Sequence, residues 1–260
     1  MVDIHCHILP GMDDGADSME TAVAMAEMAI ADGITHVVGT PHANTQYHFD
    51  PELIRSKRDE LQARVGDRLT LATGCDFHLN YENLQDLQKD SKKYTINQKN
   101  YLLVEFADFA IPPSMDETLH HLQLTGISPI ITHPERNALL RAQPERMYRW
   151  LHQGCYAQVT ALSLLGRFGE RAQRSAEQWL EEDRIHFVAS DAHNLEGRPL
   201  QLRRAFDAVA KRRGEMVAQA LFHDNPLAVF EGRSLPYEPE QVHPGAVKPQ
   251  YKRRKRFFFF

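Results

Sequence analysis

The feature of this 260-residue chain that most constrains its fold is a regular alternation of apolar runs of strand length with helix-like segments. Successive runs begin roughly 27 to 34 residues apart, the length of one βα unit. Repeating βα units imply a parallel sheet, and seven of them favour a barrel over an open doubly wound sheet, which stays as the alternative. The predicted strands are residues 2–8, 35–40, 69–75, 101–106, 128–132, 156–160 and 186–190.

Between these runs, apolar residues recur at helical spacing. Ser18 and Thr21 are suited to cap the first such segment, and several others open with proline in the first turn. The predicted helices are residues 18–32, 51–65, 81–89, 116–125, 144–152, 170–183 and 199–213.

Composition indicates a globular protein with one main core, since 42% of the residues are hydrophobic and 25% are charged. No apolar stretch approaches the roughly 20 residues of a membrane helix, and the chain opens on a strand instead of a signal segment. The three cysteines, Cys6, Cys75 and Cys155, are scattered and lack CxxC spacing, so we expect reduced thiols. These features together predict a cytoplasmic protein.

Charge is unevenly distributed along the chain. The net charge of -5 includes five basic residues at 252–256, and without them it is -10, so the acidic body is not expected to bind nucleic acid. We predict a catalytic domain over residues 1–234 and a flexible tail over 235–260, whose basic run ends in four phenylalanines. A second interpretation of this end is weak contact with an anionic membrane surface.

Two short motifs place pairs of metal-binding side chains at the ends of predicted strands. His5 and His7 are two positions apart near the start of the chain, and so are Asp191 and His193 near its other end. Residues i and i+2 of a strand project from the same face, so each pair can reach into one pocket. Imidazole and carboxylate groups are common ligands of divalent metals.

Further candidate ligands follow the other strands: Asp14, His42, Asp76, Glu105 and His133. Each alone would be an ordinary turn or capping residue. In a parallel barrel, however, all these strand ends meet at one face, so nine ligands would converge there, enough for three metal ions with about three ligands each. His48 and His78 are left undecided, and the histidines predicted to lie off this face are His36, His120, His121, His152, His186, His223 and His243.

Longer motifs make the pattern specific. They are the HxH of the first strand, the DDG after it, the histidine ending the second strand, HxER after the fifth and SDxHNxxGRP after the seventh. In these motifs the chain resembles the polymerase and histidinol phosphatase (PHP) superfamily. Within it, the chain is most similar to the manganese-dependent protein tyrosine phosphatases encoded with bacterial capsule and exopolysaccharide machinery. The resemblance runs from residue 2 to about residue 230.

The resemblance implies a distorted, TIM-like (β/α)7 barrel of the PHP type that holds three Mn²⁺ ions. It assigns His5, His7, Asp76 and Asp191 to one ion. The remaining assignments are Asp76, Glu105 and His133 to a second ion, and Asp14, His42 and His193 to the third. The chain departs from the family at Asp76, where the similar phosphatases carry Glu, so Asp76 has either to come closer to both ions or to bind one ion only.

The residues themselves indicate phosphoester hydrolysis. Divalent cations lower the pKa of a bound water toward about 7 and offset the charge of a phosphate. The ligand set also accepts Fe, Co or Zn. Arg136 and Arg198 follow predicted ligands closely and are predicted to clamp the phosphate, and Asp191 and His193 are the candidates if a general acid is needed.

Other hydrolytic mechanisms lack their motifs. A cysteine-dependent tyrosine phosphatase requires Arg six residues after its Cys, and here those positions are Met12, Tyr81 and Ala161. The chain also has no GxSxG elbow and no P-loop. Cys6, between two candidate ligands, is predicted to point to the opposite face as a core thiol.

Three functions stay open: a protein tyrosine phosphatase, a histidinol-phosphatase-like enzyme for small molecules, and a non-catalytic metal-binding interaction module. The resemblance implies that the substrate is the phosphotyrosyl tail of a bacterial tyrosine autokinase. The residues that would form an apolar rim for its phenyl ring, or else pack within the fold, are Gln46, Tyr47, His48, Phe49, Phe106, Phe109 and Ile111.

Overall fold

A computed structural model describes residues 1–239, which form a mixed α/β fold with parallel sheets. All strand pairings within these residues are parallel. The strands there are β1 Val2–Cys6, β2 His36–Gly39, β3 His42–Ala43, β4 Thr70–Thr73, β5 Asp76–His78, β6 Tyr101–Glu105, β7 Ser128–Thr132, β8 Tyr156–Thr160 and β9 Phe187–Ala189.

The strands form two sheets, one of three strands in the order β1-β2-β4 and one of six in the order β3-β5-β6-β7-β8-β9. After each of the second and third predicted strands, the chain forms a further short strand that belongs to the other sheet. The run at 35–40 ends as β2, and Pro41, which has no N–H to donate to a ladder, separates it from β3. In the next unit β4 ends at Thr73 and β5 begins at Asp76, and these two strands lie beside β2 and β3, respectively.

The first strand also contacts the segment that follows the last one. Cys6 and Ala192 form a parallel bridge, and His7 N–H donates to the carbonyl of Ala192 at 2.9 Å. Asp191 N–H donates to the carbonyl of His5 at 2.8 Å. The ends of β1 and β9 are therefore joined by backbone hydrogen bonds.

Helices connect most of the strands, and several begin and end at the predicted residues. The side chain of Ser18 accepts from Thr21 N–H and caps the first helix, as predicted. The last predicted helix begins at Arg203 instead of residue 199, because Asp32 Oδ2 accepts from the N–H groups of Leu202 and Arg203 and caps it there. The α-helices of residues 1–239 are α1 Met19–Asp32, α2 Pro51–Val65, α3 Tyr81–Lys89, α4 Met115–Leu124, α5 Ala138–Ala142, α6 Pro144–His152, α7 Ala161–Leu164, α8 Glu170–Glu181, α9 Arg203–Arg213, α10 Glu215–Gln219 and α11 Asn225–Glu231.

The apolar core has two parts. A smaller cluster includes Ile4, Leu103 and Phe187 from the strands, and α11 packs against it through Val229. A larger cluster fills the space between the strands and the surrounding helices. Among the helices at residues 1–239, none combines the length and the apolar character that a membrane span requires.

Candidate metal centre

Seven of the nine candidate ligands lie at or after the carboxyl ends of strands, and the other two, His42 and Asp76, are the first residues of β3 and β5. His5 and His7 are at the end of β1, and Asp14 is in the loop that follows. His42, Asp76 and Glu105 belong to β3, β5 and β6, respectively, while His133 follows β7 and both Asp191 and His193 follow β9. Within residues 1–239, three overlapping groups have ligand atoms close enough to share an ion: His5, His7 and Asp76; His42, Asp76 and Glu105; and His7, Asp14, His42 and His193.

The first group is fully buried. His5 Nε2 lies 3.4 Å from Asp76 Oδ2 and 3.4 Å from His7 Nε2. Asp191 Oδ1 completes the arrangement, at 3.5 Å from His5 Nε2 and 3.4 Å from His7 Nε2. Four ligand atoms from β1, β5 and the end of β9 thus surround one point.

Asp76 also faces a second group. Its Oδ2 lies 3.3 Å from His42 Nδ1 and 3.9 Å from His133 Nε2. Glu105 Oε2 is 3.5 Å from His42 Nδ1, and Glu105 Oε1 is 3.7 Å from His133 Nε2. Asp76 therefore contacts both groups despite its short side chain.

The third group is the most open to solvent. Asp14 Oδ1 lies 3.5 Å from Nε2 of both His42 and His193, and its side chain is half exposed. The ring of His193 lies against that of His7, with 3.9 Å between their centroids. His42 presents Nδ1 to the second group and Nε2 to the third, so one imidazole stands between the two.

The electrostatics of the centre favour the ligand forms of two acids. Burial opposes the ionisation of Asp76, but the His5, His133 and His42 imidazoles hold its carboxyl pKa well below the usual range. Burial also opposes the charge of Asp191, while His5, His7 and the two arginines lower its carboxyl pKa well below the usual range. Burial and the neighbouring His7 lower the pKa of His193 to about 2, which keeps this imidazole neutral.

Two residues that sequence reasoning did not single out hold the first histidines in place. Asp13 Oδ2 lies 2.6 Å from His7 Nδ1 and accepts from His42 N–H at 3.0 Å. Gln158 Oε1 lies 2.9 Å from His5 Nδ1. Partners on the far nitrogen of a ligand histidine fix its tautomer and ring orientation. The sequence signal for Asp13 was its place beside Asp14 in DDG, whereas nothing local marks Gln158.

The DDG loop packs directly against β1. A Cβ at Gly15 would lie 2.0 Å from the carbonyl oxygen of His7, so only glycine fits there. Asp13 Oδ1 accepts from Gly15 N–H at 3.0 Å, which makes the turn. The glycine of the motif thus lets its two aspartates reach the end of the first strand.

Two candidate ligands adopt left-handed backbone. His133 has φ 31° and Asp191 has φ 51°, each directly or closely following a buried strand. Non-glycine residues in this region are uncommon and concentrate at functional sites. The chain therefore accepts backbone strain where it turns these side chains toward the centre.

Arg136 and Arg198 both contact the same carboxylate. Arg136 Nη1 donates to Asp191 Oδ2, and Arg198 Nη2 is 2.5 Å from the same oxygen. Both side chains are about one-quarter exposed. The two predicted clamp residues thus lie together at the edge of the ligand cluster. Phe168, which the sequence did not flag, faces both guanidinium groups.

Of the two undecided histidines, one is close to the cluster. His78 Nδ1 lies 3.7 Å from Glu105 Oε2, whereas His48 is exposed. The histidines predicted off the face belong to none of the metal-competent groups of residues 1–239, and His243 lies outside the described residues.

The cysteines are buried and unpaired, and Cys6 packs in the larger core cluster as predicted. Burial raises the pKa of the Cys155 thiol to about 12, and it raises the pKa values of Cys6 and Cys75 well above the usual range. None of these thiols is available as a thiolate nucleophile.

Known proteins similar to this chain include a whole family and several phosphatases. The family described as capsular polysaccharide synthesis, CpsB/CapC, matches residues 1–231. The chain belongs to the CpsB/CapC family. Among its relatives, the tyrosine-protein phosphatase YwqE of Bacillus subtilis is 34% identical over 264 aligned positions that cover 100% of both chains. The tyrosine-protein phosphatase CpsB of Streptococcus pneumoniae is 32% identical, covering 88% of this chain and 98% of its own.

Solved structures support this membership. A chain from the crystal structures of YwqE and CpsB, described as unique metal-dependent tyrosine phosphatases, superimposes with a TM-score of 0.86. It is 33% identical and covers 93% of this chain and 99% of its own. The phosphotriesterase homology protein of Escherichia coli shares the fold at a TM-score of 0.56 and 9% identity, with 88% of this chain and 98% of that one covered. The CpsB/CapC assignment agrees with the PHP resemblance of the sequence motifs.

Proposed function

We propose that this chain is a metal-dependent protein tyrosine phosphatase of capsule or exopolysaccharide synthesis. The observation that carries the proposal is a cluster of seven carboxylate and imidazole ligands in three overlapping groups, with His133 and Asp191 beside it and two arginines on its edge. The CpsB/CapC family membership supports it, as do the names of relatives at 32 to 34% identity.

The residues fit divalent metal ions. Ligands about 2.1 Å from one ion at tetrahedral corners lie about 3.4 Å from each other, close to the separations of the first group. Asp76 Oδ2 and His42 Nδ1 are buried and make no hydrogen bond, although they lie 3.3 Å apart. Buried polar atoms without partners are costly unless something else binds them. A cation between these lone pairs would satisfy both.

We assign the ions as three, with Mn²⁺ the expected one and Fe, Co or Zn also compatible with oxygen and nitrogen ligands. His5, His7, Asp76 and Asp191 would hold the first ion. The other two would be held by Asp76, Glu105 and His133, and by Asp14, His42 and His193. His7 and His42 each belong to two of the three groups, so the geometry allows either residue to bind either of two ions.

Bound ions would supply a nucleophilic water near neutral pH and offset the charge of the phosphate. The protein's own contribution is to bind and orient the phosphoryl group. Arg136 and Arg198 present N–H donors at the edge of the ligand cluster, and charge-assisted hydrogen bonds to phosphate are among the strong ones. A tyrosine leaves as a phenolate whose conjugate acid has a pKa of about 10, so it needs little protonation. Asp191 and His193 are the sequence-derived candidates for a general acid, but the low carboxyl pKa of Asp191 and the low imidazole pKa of His193 leave neither with an acidic proton to donate.

A cavity of about 630 Å³ offers a place for the phenyl ring. It is lined by Tyr47, Phe106 and Phe109, and it reaches the ligands His42 and Glu105. Phe109 is 88% exposed, and the ring of Tyr47 stacks on that of His42. Of the other rim candidates, Phe49 is instead buried in the core against Tyr94. Ile111 is partly buried, and Gln46 and His48 are exposed.

The two sheets together would form one distorted (β/α)7 barrel of the PHP type. In this interpretation, β2 with β3 and β4 with β5 count as two interrupted strands. The bridge between Cys6 and Ala192 supports closure of the ring. The phosphatase domain would span at least residues 1–234, and the family match covers 1–231. The predicted tail does not begin at 235, because Leu235 is buried in the smaller core cluster and Tyr237 is hydrogen-bonded to Asn225.

The substrate we propose is the phosphotyrosyl tail of a bacterial tyrosine autokinase. The phosphatase would act on it in the cytoplasm. Three unpaired thiols are usual for a reducing compartment. The weak membrane contact proposed for the C-terminal tail, and its basic and aromatic end, fall on residues 240–260, outside the described residues.

One comparison tests the proposal against its alternatives. Protein loaded with Mn²⁺ is given a tyrosine-rich phosphotyrosyl peptide, a phosphoseryl peptide and histidinol phosphate at matched concentrations. We expect the tyrosyl peptide to be cleaved fastest, and strong chelation, unlike thiol alkylation, to abolish turnover. Faster cleavage of histidinol phosphate would favour the small-molecule enzyme. Hydrolysis of none of them would favour the binding module, and full activity after exhaustive chelation would contradict the metal mechanism.

A further inference from the structure

Phe168 lies against both predicted phosphate-binding arginines. The guanidinium carbon of Arg136 is 4.4 Å from the centroid of the Phe168 ring, and that of Arg198 is 5.8 Å away. Both distances are within the range of a cation–π contact. One aromatic ring therefore contacts two cations that also share one carboxylate oxygen of Asp191.

The loop that carries Phe168 is built to hold it in place. Gly166 and Gly169 flank the loop with φ 77° and φ 87°, conformations that suit glycine alone. Gly166 N–H donates to the carbonyl of Ser163 at 3.0 Å, and Ser163 Oγ donates to Glu135 Oε1 at 2.7 Å. Glu135 precedes Arg136 in the chain. The start of the loop is therefore hydrogen-bonded, through Ser163, to the residue that precedes Arg136.

An aromatic ring attracts a guanidinium through its π electrons and is not a conventional hydrogen-bond acceptor. An arginine has five N–H donors, so those not bonded to Asp191 stay available for a phosphate. A hydrogen-bonded partner would orient the group at the expense of a donor. Phe168 also offers an electron-rich surface to both guanidinium groups, in addition to the Asp191 carboxylate oxygen that they share.

We propose that Phe168 is a positioning residue that orients Arg136 and Arg198 for a phosphoryl group. The inference rests on the proposed function, which makes the two arginines phosphate ligands. Phe168 touches neither the ions nor the reacting atoms in this assignment, and it acts through the arginines. It also borders the cavity of about 560 Å³ that contains Arg136 and His133.

The test is the affinity of the metal-loaded protein for inorganic phosphate, measured by calorimetry and as inhibition of p-nitrophenyl phosphate hydrolysis. Phe168→Ala should weaken phosphate binding about fivefold to tenfold, the loss expected for two partly exposed cation–π contacts. Phe168→Leu keeps an apolar side chain but no π face, so it should show the same loss. Phe168→Tyr should bind phosphate within about twofold of the wild type. Tyr81→Ala, at an aromatic residue that is 73% exposed, serves as the matched control.

Wild-type affinity in Phe168→Leu would overturn the proposal, because it would show that apolar packing is sufficient. Unchanged affinity in Phe168→Ala would overturn it as well. In a protein that already carries Arg136→Ala and Arg198→Ala, Phe168→Leu should have no further effect on phosphate binding, and an undiminished effect would contradict action through the arginines. Metal content and melting temperature should stay at wild-type values in Phe168→Leu. If the wild type hydrolyses no ester, the proposed function fails, while the calorimetric phosphate affinities still decide the role of Phe168.

Discussion

Nδ1 of His7 lies 2.6 Å from Oδ2 of Asp13, a residue outside the predicted ligand set. The pairing turns Nε2 of the same ring toward His5 and Asp191. Asp13→Asn keeps the shape of the side chain, but it can place an amide NH2 donor where the Nδ1–H of His7 needs an acceptor. We expect metal affinity to fall about 10-fold to 100-fold with the fold intact, as is typical when such a partner is changed. Titration with Mn²⁺, monitored by calorimetry, measures this. Asp17→Asn, in the exposed segment just after, is the control, and equal affinities in both variants would contradict a supporting role for Asp13.

Asp76 is the residue expected to join two ions, since its Oδ2 faces His5 and His42 at 3.4 and 3.3 Å. Asp76→Ala should therefore lose more than one ion per protein molecule, measured by elemental analysis after gel filtration. Asp207→Ala, on the exposed side of α9, should keep the wild-type content. A variant of Asp76 that retained all the ions would show that this carboxylate does not bridge them.

Arg136 and Arg198 should matter for the chemical step rather than for metal binding. Replacing either by Ala removes charge-assisted bonds to phosphate, so kcat/KM should fall by on the order of a hundredfold. Metal content should not change. Arg171→Ala tests a nearby positive charge, because Arg171 lines the same cavity as Arg136 but is exposed. Steady-state kinetics near those of the wild type in both Arg136→Ala and Arg198→Ala would remove them from the site.

Phe109 should distinguish a peptide substrate from a small one. Its ring is 88% exposed on the wall of the cavity that reaches His42 and Glu105. Covering such a ring with a peptide would stabilise the complex, so Phe109→Ala should raise KM for the phosphotyrosyl peptide about tenfold. The kinetics with p-nitrophenyl phosphate should change less than twofold. Met216→Ala, at an 82% exposed residue of α10, is the control. An equal rise in KM for both substrates would argue against a peptide-binding role.

His186 gives a stability prediction that does not involve the ligand cluster. Burial lowers its imidazole pKa from 6.5 to about 3, and its Nδ1 accepts from Ala157 N–H. Below pH 6.5 the unfolded chain binds a proton that the folded protein does not, so the free energy of unfolding falls as pH decreases toward 3. His186→Gln keeps an acceptor and should remove about 1.4 kcal/mol of the stability loss between pH 7.5 and pH 5.5. Chelated protein unfolded in urea at pH 7.5 and pH 5.5 measures the difference. His120→Gln, at an exposed histidine of α4, should follow the wild type, and parallel curves for His186→Gln would contradict the argument.

The sequence was informative where a residue's role depends on its position in a repeating unit. The apolar period predicted the parallel strands and most helix bounds, since burial of one face sets that period. The short strands β3 and β5 were not predicted, because two or three residues carry too little pattern to show which neighbour they will pair with. The sequence shows Gly15 as part of DDG, but not why it must be glycine. The reason is that a Cβ at this position would lie 2.0 Å from the His7 carbonyl oxygen, which is a contact of the folded chain.

The site residues were also predicted only where the sequence carries a local signal. His5, His7, Asp191 and His193 stood out because i and i+2 positions on a strand end carry a local signal. Gln158 and Phe168 carry none. Gln158 reaches His5 from β8, 153 positions along the chain, and Phe168 reaches its arginines from a loop that local propensity describes only as a turn.

At His133 and Asp191, the residue that would best stabilise the left-handed backbone is not the residue that the metal centre requires. Glycine at either position would relieve the strain of φ 31° or φ 51°. A laboratory selection for heat resistance alone would therefore favour glycine at these two positions. The centre would then lose the His133 imidazole and the Asp191 carboxylate. Engineering a more robust form of this protein should leave both residues fixed and seek its gains elsewhere in the chain.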